Sequence, residues 1–194
     1  MSIVRIAIIY HSMYGHTARQ AEAVSDGVER IQGAKALLLT TEEAQSRWDT
    51  LALADGIIFG SPTYMSSVSA EFKKFQEATS NAVLAKGARK DKVAAGFTNS
   101  GAHAGDKLAT LIQMALFAAQ HGMHWINLAL PPANNSTTGS DQDLNRLGFW
   151  LGAGAQSNVD QAADVAPPES DLATARHLGQ RVTEVAMQLA RGRT

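Results

Sequence analysis

Cysteine is absent from this chain of 194 residues, and prolines (five) and aromatic residues (6%) are few. Without cysteine, disulfide bonds, thiolate metal sites and thiol-based redox chemistry are excluded. The chain also lacks a strong charge of either sign, because 17 basic residues face 18 acidic ones for a formal net charge of −1. That balance gives no indication of binding to nucleic acid or to an anionic membrane surface.

Long hydrophobic runs are missing as well. No apolar stretch approaches the length of a membrane span, and the amino terminus runs into a predicted strand without the apolar core of a signal peptide. We therefore expect a cytoplasmic protein with neither membrane nor nucleic acid as a partner. The length suits a single domain over residues 1–194, and a hydrophobic fraction of 45% is typical of a globular fold.

The six histidines show no metal-binding spacing. HxxxH and HExxH patterns are absent, and no acidic residue completes a ligand set near any histidine. We expect no metal site. His11, His124 and His177 are interpreted as ordinary structural or surface histidines.

An apolar run over residues 3–10 ends in the short loop His11–Thr17. The run indicates a buried strand of a parallel sheet, and the residues after the loop have helical spacing. The hydroxyls of Ser12 and Thr17 and several backbone N–H groups then lie at a helix N-terminus, where phosphate can bind. The loop has no lysine or arginine and no GxGxxG pattern, so a donor set of hydroxyls and amides suits the monophosphate of FMN. The alternative is a hydroxyl-capped helix that binds nothing.

Strand-like and helix-like segments alternate along the chain. The predicted strands are 3–10, 35–40, 55–60, 92–98 and 124–130. The predicted helical segments are 16–32, 47–53, 69–79, 104–121 and 171–191. This alternation predicts an α/β fold with an open, doubly wound parallel sheet of five strands in the order 2-1-3-4-5 and helices on both faces. The polar, glycine-rich residues 131–170 predict a long connection.

The loop after the third predicted strand contains four residues suited to a flat ring. Pro62 fixes the chain direction, and Thr63 offers a hydroxyl. Tyr64 and Met65 offer apolar surface. The alternative is a plain proline turn. After the fourth strand, the small residues of loop 98–106 leave backbone amides free to approach a polar ring edge or a ribityl chain.

The motif Ser-Met-Tyr-Gly-His-Thr at Ser12–Thr17 resembles the corresponding loop of the flavodoxin-like superfamily, and most of all that of its WrbA-type quinone reductases. The resemblance covers nearly the whole chain, including His121-Gly122-Met123 after the fourth long helix and residues 168–179 at the entry to the last one. It implies an FMN-dependent NAD(P)H:quinone oxidoreductase, with NAD(P)H as co-substrate and a small-molecule quinone as acceptor.

Carried over by position, the resemblance implies that three loops hold FMN. The implied cofactor-binding residues are Ser12, Met13, Tyr14, Gly15, His16, Thr17, Pro62, Thr63, Tyr64, Met65, Asn99, Ser100, Gly101, Ala102, His103 and Ala104. Tyr14 also falls where the family contacts the nicotinamide. His121 is implied to be catalytic, at the ring or in the substrate pocket, and its place at a helix C-terminus favours the imidazolium form through the helix dipole.

The chain departs from the family pattern at four places. Met65 and Ser66 follow Tyr64 where relatives have Gly-Asn, and His103 and Ala104 stand at glycine positions. Residues 81–87 contain no tryptophan, whereas relatives place one over the active site, and the segment between the second and third predicted strands is shorter. Flavin binding is expected to survive these changes, but substrate preference, nicotinamide contacts and turnover do not follow from the resemblance.

Two other functions compete with the enzyme. One is a flavodoxin-type electron carrier that docks onto redox partner proteins. Such carriers are strongly acidic because docking relies on charge complementarity, so a net charge of −1 favours the enzyme. The other is a fold that has lost its flavin and serves as an interaction module.

A homo-oligomer is also expected. Phe149 and Trp150 stand beside glycines in the long connection, where an aromatic pair is a candidate interface core. The WrbA-type relatives assemble as tetramers with flavin pockets completed by neighbouring subunits, which implies a homotetramer with two-fold symmetry axes, and a dimer is the other oligomer considered. The alternative is that both rings cover the sheet edge within one subunit.

Overall fold

A computed structural model describes residues 3–192 of the chain. The strands are β1 Val4–Tyr10, β2 Ala34–Thr40, β3 Gly56–Tyr64, β4 Ser67–Val68, β5 Val93–Ser100, β6 His124–Trp125 and β7 Ala153–Gln156. The helices are α1 His16–Glu29, α2 Thr41–Gln45, α3 Trp48–Ala52, α4 Ala70–Ala82, α5 Lys107–Gln120 and α6 Glu169–Gly192, with a 3-10 turn at Leu84–Lys86. Within these residues, no helix is both long enough and apolar enough to cross a membrane.

The main sheet is parallel and confirms the predicted flavodoxin-like fold. Its strands lie in the order β2-β1-β3-β5-β6. This is the predicted order 2-1-3-4-5, because the short β4 only forms an antiparallel hairpin with the end of β3. The strand order therefore reverses beside β1, between β1 and β3, and a crevice opens there at the carboxyl ends of the strands.

Two apolar layers cover the sheet, one on each face. Alternation along β1 sends Ile6 and Ile8 into the layer formed with α1 and α6, and Ala7 and Ile9 into the opposite layer. The second layer is rich in aromatic rings, and Phe59 of β3 packs edge-on against rings of α4 and α5. Burial of these two layers fixes the sheet and holds the loops at its carboxyl edge in place.

The predicted fifth strand, residues 124–130, is too long. Only His124 and Trp125 pair with the start of β5, and β7 takes the other half of the same edge, with Ala153 opposite Phe97. The sequence of β7, Ala-Gly-Ala-Gln, has neither β-branched residues nor an alternating pattern, so the sequence predicts a connection where the structure has a strand. The consequence is functional, because the end of β7 reaches the same crevice as the ends of β1, β3 and β5.

Candidate functional site

A cleft of about 590 Å³ lies at the carboxyl ends of β1, β3 and β5. Its lining residues are Ser12, Tyr14, His16, Thr17, Pro62, Tyr64, Asn99, Ser100, Gly101, Ser157, Val159 and Gln161. The three predicted loops all contribute, so the structure brings together nine of the implied cofactor-binding residues. No lysine, arginine, aspartate or glutamate is among these lining residues.

The first loop turns sharply into α1. Gly15 is the N-cap residue with φ 87°, a left-handed conformation that favours glycine, and its N–H donates to Ser12 Oγ at 3.1 Å. No side chain caps the helix, so neither loop hydroxyl acts as its N-cap. His16 and Thr17 line the cleft from the first turn, whose N–H groups have no acceptor within the helix.

Aromatic side chains of the first and second loops meet at the cleft. The rings of Tyr14 and Tyr64 are in edge contact, with centroids 6.4 Å apart. Burial, and to a smaller extent Tyr14, raises the pKa of the Tyr64 hydroxyl, which therefore remains protonated at neutral pH. Together with Pro62, the two rings form the apolar part of the lining.

The structure does not bring Thr63 or Met65 to the cleft. Thr63 lies in β3 between Pro62 and Tyr64, so alternation turns its side chain away, and its hydroxyl is bonded at 2.8 Å to those of Thr98 and Thr110. Met65 stands at the tip of the β3–β4 hairpin with φ 47° and is 98% exposed. The sequence showed neither the extension of β3 to Tyr64 nor the hairpin that follows it.

The third loop contributes Asn99, Ser100 and Gly101 to the cleft, whereas Ala102, His103 and Ala104 are exposed outside it. Met13 and Gly15 of the first loop also lie outside the lining, Met13 because its side chain points into solvent and Gly15 because it makes the turn. These residues shape the loops, but in a single chain their side chains do not form the cleft wall.

A buried lysine holds the third loop through hydrogen bonds to its backbone carbonyls. Lys107, at the start of α5, is fully buried and its Nζ donates to the carbonyls of Ala102 and His103, the latter at 3.1 Å. Burial lowers the pKa of Lys107 to about 8. Gln156 holds the same loop through a 2.9 Å hydrogen bond from Nε2 to the carbonyl of Gly101. The loop is therefore fixed before any ligand arrives.

Sequence reasoning missed Ser157, Val159 and Gln161. Ser157 Oγ accepts a 2.9 Å hydrogen bond from Asn99 Nδ2, and the carbonyl of Gln161 lies 2.8 Å from His16 Nε2. All three residues follow β7. Only recognition of β7 as a strand could have placed them at the cleft, and its sequence does not indicate a strand. Because β7 ends at the same edge of the sheet, the segment after it closes one side of the cleft.

His121 does not lie in the cleft. It follows the last residue of α5, and a helix of 14 residues spans roughly 20 Å, so its two ends lie at opposite edges of the sheet. His121 is buried against the ring of Phe117 and its Nε2 is 3.0 Å from Thr79 Oγ1. Burial, and then the charge of Arg89, lowers the pKa of His121 to about 4, so the expected imidazolium form is wrong at neutral pH.

Three histidines that were interpreted as structural or surface residues lie outside the cleft lining. His177 Nε2 is bonded to the carbonyl of Leu128 at 3.1 Å, and His124 is exposed, both as interpreted from the sequence. His11 differs, because its buried Nδ1 has no hydrogen-bond partner among residues 3–192, and burial lowers its pKa. It is the first residue of the first loop but does not belong to the cleft lining.

The donor set of the cleft fits FMN. Hydroxyls of Ser12 and Thr17 and the N–H groups of the first helical turn suit a phosphate, and no carboxylate in the lining opposes it. The rings of Tyr14 and Tyr64 with Pro62 offer a flat apolar surface. Both chemical halves of the cofactor therefore find matching groups in one cleft.

Comparison with known proteins identifies the family. The family model described as NADPH-dependent FMN reductase matches residues 39–136. The chain is 41% identical over 189 residues to Flavodoxin FldP of Pseudomonas aeruginosa, covering 95% of this chain and 98% of that protein. It is 31% identical over 208 residues to an NAD(P)H dehydrogenase (quinone) of Geobacter sulfurreducens, and this match covers 96% of this chain and 99% of that protein.

A crystal structure from Agrobacterium tumefaciens, described as a flavodoxin, WrbA-like protein, is similar throughout. It is 36% identical to this chain with a TM-score of 0.72, and the match covers 95% of this chain and 98% of that one. Sequence and structure thus agree over almost the full length of each protein. The chain belongs to the NADPH-dependent FMN reductase family and, within the flavodoxin-like superfamily, to its WrbA-type branch.

Proposed function

We propose that this protein is an FMN-dependent oxidoreductase that transfers two electrons from NAD(P)H to a small-molecule quinone. The observation that carries the proposal is the cleft itself, which joins a hydroxyl-and-amide phosphate site to an aromatic wall without a charged side chain in its lining. Membership of an FMN reductase family and similarity to proteins named NAD(P)H dehydrogenase (quinone) support it. Bound FMN supplies hydride chemistry, accepting from a nicotinamide and donating to a quinone.

The chain's own residues bind, orient and exclude water. Ser12, Thr17 and the first turn of α1 would hold the phosphate of FMN, and Asn99 and Gly101 would offer polar groups to the rest of the cofactor. Tyr14 and Tyr64 would contact the flavin ring and exclude water from that side of it. No side chain serves as a nucleophile in this scheme.

A flavodoxin-type electron carrier is the second candidate, because a relative 41% identical to this chain is named a flavodoxin. The net charge of −1 argues against it, since docking onto redox proteins relies on charge complementarity. The two candidates differ in whether NAD(P)H reduces the bound flavin directly, and that difference can be measured.

The working form in this proposal is a cytoplasmic homo-oligomer, a tetramer or a dimer. Leu108, Ile112 and Leu116 form an exposed apolar stripe along α5, and Trp150 is 60% exposed. Phe149 instead packs on Gly154 of the edge strand β7, which agrees with the alternative of an edge cover for that ring. Any contact of His121 with a flavin would then involve the cleft of a neighbouring subunit.

Cofactor identity is the first test. Heat-released flavin from the purified protein, or from apoprotein incubated with FMN and FAD together, is identified by chromatography. FMN is expected, because the cleft offers one phosphate site and no second nucleotide fingerprint. Recovery of FAD, or failure of the apoprotein to take up FMN, would refute the cofactor assignment. Light scattering of the FMN-loaded protein over a tenfold concentration range tests the oligomer, and the mass of a single chain throughout would refute it.

A further inference from the structure

Arg89 is a buried cation without a counterion among the residues that the structure describes. It is 1% exposed, and none of its three side-chain nitrogens has a hydrogen-bond partner within residues 3–192. A guanidinium carries five N–H donors, and removing all of them from water without replacement is costly. Buried charges in folded proteins are normally paired, so this arrangement indicates a missing anion.

Two aromatic rings fix the guanidinium in place. Its central carbon lies 5.7 Å from the ring centroid of Phe75 and 5.9 Å from that of Phe117. Such contacts stabilise the flat faces of the cation but leave the N–H groups at its edge unsatisfied. The group is therefore held against two rings, with its nitrogens buried and unpaired.

Arg89 lines a second cavity of about 390 Å³, at the amino ends of β3 and β5 and thus at the opposite edge of the sheet from the cofactor cleft. The exposed cations Arg47 and Lys86 stand in its lining, against the single carboxylate of Asp49. The cavity is therefore positively charged and distinct from the flavin cleft.

The rest of the cavity wall is mixed, because the polar Ser46 and Thr50 stand beside apolar residues and one aromatic ring. Leu51 and Val83 belong to it, as does Trp48, whose ring stacks on Phe75 with centroids 5.9 Å apart. Phe75 is fully buried behind this wall and also contacts the guanidinium, so it connects the ring of Trp48 to the unpaired cation. A ligand for this cavity needs an anionic end and a flat apolar body.

We propose that this cavity binds a small aromatic monocarboxylate whose carboxylate pairs with Arg89. A planar guanidinium matches a carboxylate through two parallel hydrogen bonds, and one buried positive charge balances one negative charge. A phosphate dianion would bring a second charge for which the buried part of the site has no partner. The proposal is independent of the flavin chemistry, because none of its residues lines the cofactor cleft.

His121 offers a separate readout of the same site. The charge of Arg89 contributes to the lowered pKa of His121, after burial. A carboxylate on Arg89 cancels that charge, so the pKa of His121 rises when the ligand binds. The imidazole signal, assigned by its loss in His121→Gln, reports this shift in an NMR pH titration with and without benzoate.

The test is calorimetric titration of the FMN-loaded protein with sodium benzoate, against sodium chloride at equal ionic strength. Saturable binding of benzoate and a higher melting temperature in benzoate are expected. Arg89→Met loses at least tenfold in benzoate affinity, yet melts no lower than the wild type in chloride because the unpaired charge is gone. Arg89→Lys keeps the charge without the planar fork and binds with intermediate affinity. In the matched control Arg47→Met, an exposed cation is removed and affinity changes no more than a few-fold.

Three results would overturn the proposal. Wild-type protein that shows neither heat nor stabilisation with benzoate has no such site, and this measurement needs no variant to fold. Equal affinity of wild type and Arg89→Met would place the ligand elsewhere, and stronger binding of inorganic phosphate than of benzoate would refute the monocarboxylate class. If benzoate does not bind while Arg89→Met lowers the assembly's mass in light scattering, the missing anion is a carboxylate of a second copy of this chain.

Discussion

The rings of Tyr14 and Tyr64 meet edge to face across the cofactor cleft, with centroids 6.4 Å apart and planes inclined by 70°. Tyr14 comes from the loop after β1 and Tyr64 from the end of β3, so the contact joins the two sides of the crevice where the strand order reverses. Tyr14 remains 70% exposed, which leaves it free to follow a flat ring that enters the cleft.

Tyr64→Ala is expected to weaken FMN binding about tenfold. A ring contact of this kind contributes on the order of 1 kcal/mol beyond the area it buries, and the substitution also removes apolar surface. Tyr64→Phe keeps the ring and should bind within a few-fold of the wild type. Quenching of flavin fluorescence during titration of apoprotein gives both affinities. Unchanged affinity in Tyr64→Ala would show that the ring is not part of the binding surface.

Ser12→Glu is expected to abolish FMN binding. Ser12 lines the cleft, and its Oγ accepts from the N–H of Gly15 in the turn that precedes α1. A carboxylate at this position repels a phosphate held by the same turn, whereas Ser12→Ala removes one hydrogen bond worth about 1 kcal/mol and costs a few-fold in affinity. Equilibrium dialysis of both variants with FMN checks the pair. Wild-type affinity in Ser12→Glu would place the phosphate elsewhere.

The parts of this site that were predictable from sequence share one property. Ser12, Tyr14, Pro62 and Asn99 each stand at or near the carboxyl end of a strand whose apolar residues were plain in the sequence. The strand order followed as well, because alternating strands and helices leave few topologies open.

The parts that were missed depend on pairing between distant segments. The strand β7 has four small residues without periodicity, and only its hydrogen bonds to β5 define it as a strand. Ser157, Val159 and Gln161 reach the cleft because of that pairing. Thr63 is directed away from the cleft because β3 extends past it. Its hydroxyl forms hydrogen bonds with Thr98 and Thr110, which are far away in sequence.

His121 is expected to make stability depend on pH between about 4 and 6.5. Its pKa in the folded chain is lowered to about 4 by burial and by Arg89, below the ordinary value of 6.5. Between these values the unfolded chain binds more protons, so stability rises with pH across the window and is lost as pH falls through it. The loss attributable to this residue is about 2–3 kcal/mol.

Urea unfolding at several pH values gives the free energy of unfolding of the wild type and of His121→Gln. The difference between the slopes of these free energies against pH measures the contribution of His121. His103→Gln, the same substitution at an exposed position, is the matched control. If the free energy of unfolding changes equally with pH in the wild type and in His121→Gln, His121 is not held neutral by its surroundings.

The crossing of α1 and α6 is expected to tolerate no methyl group at two glycines. A Cβ at Gly27 would lie 2.0 Å from the carbonyl oxygen of Arg176, and one at Gly179 would lie 2.1 Å from that of Val24. Gly27→Ala and Gly179→Ala should each lower the free energy of unfolding by about 1–3 kcal/mol through forced separation of the helices. Gly192→Ala, which meets no atom within 4 Å, should be neutral in the same thermal or urea unfolding measurement. If neither Gly27→Ala nor Gly179→Ala changed the free energy of unfolding, the two helices would pack less closely than described.

The central claim is that NAD(P)H reduces the bound flavin directly and that a quinone then reoxidises it. Anaerobic stopped-flow mixing of the FMN-loaded protein with NADH or NADPH, followed by a second mix with benzoquinone, tests both half-reactions separately. We expect the oxidised flavin absorbance to bleach with at least one nicotinamide and to return on addition of benzoquinone, with ping-pong kinetics in steady state. If neither NADH nor NADPH bleaches the flavin within minutes, while a reduced redox protein does, the protein is an electron carrier and the enzyme proposal is wrong.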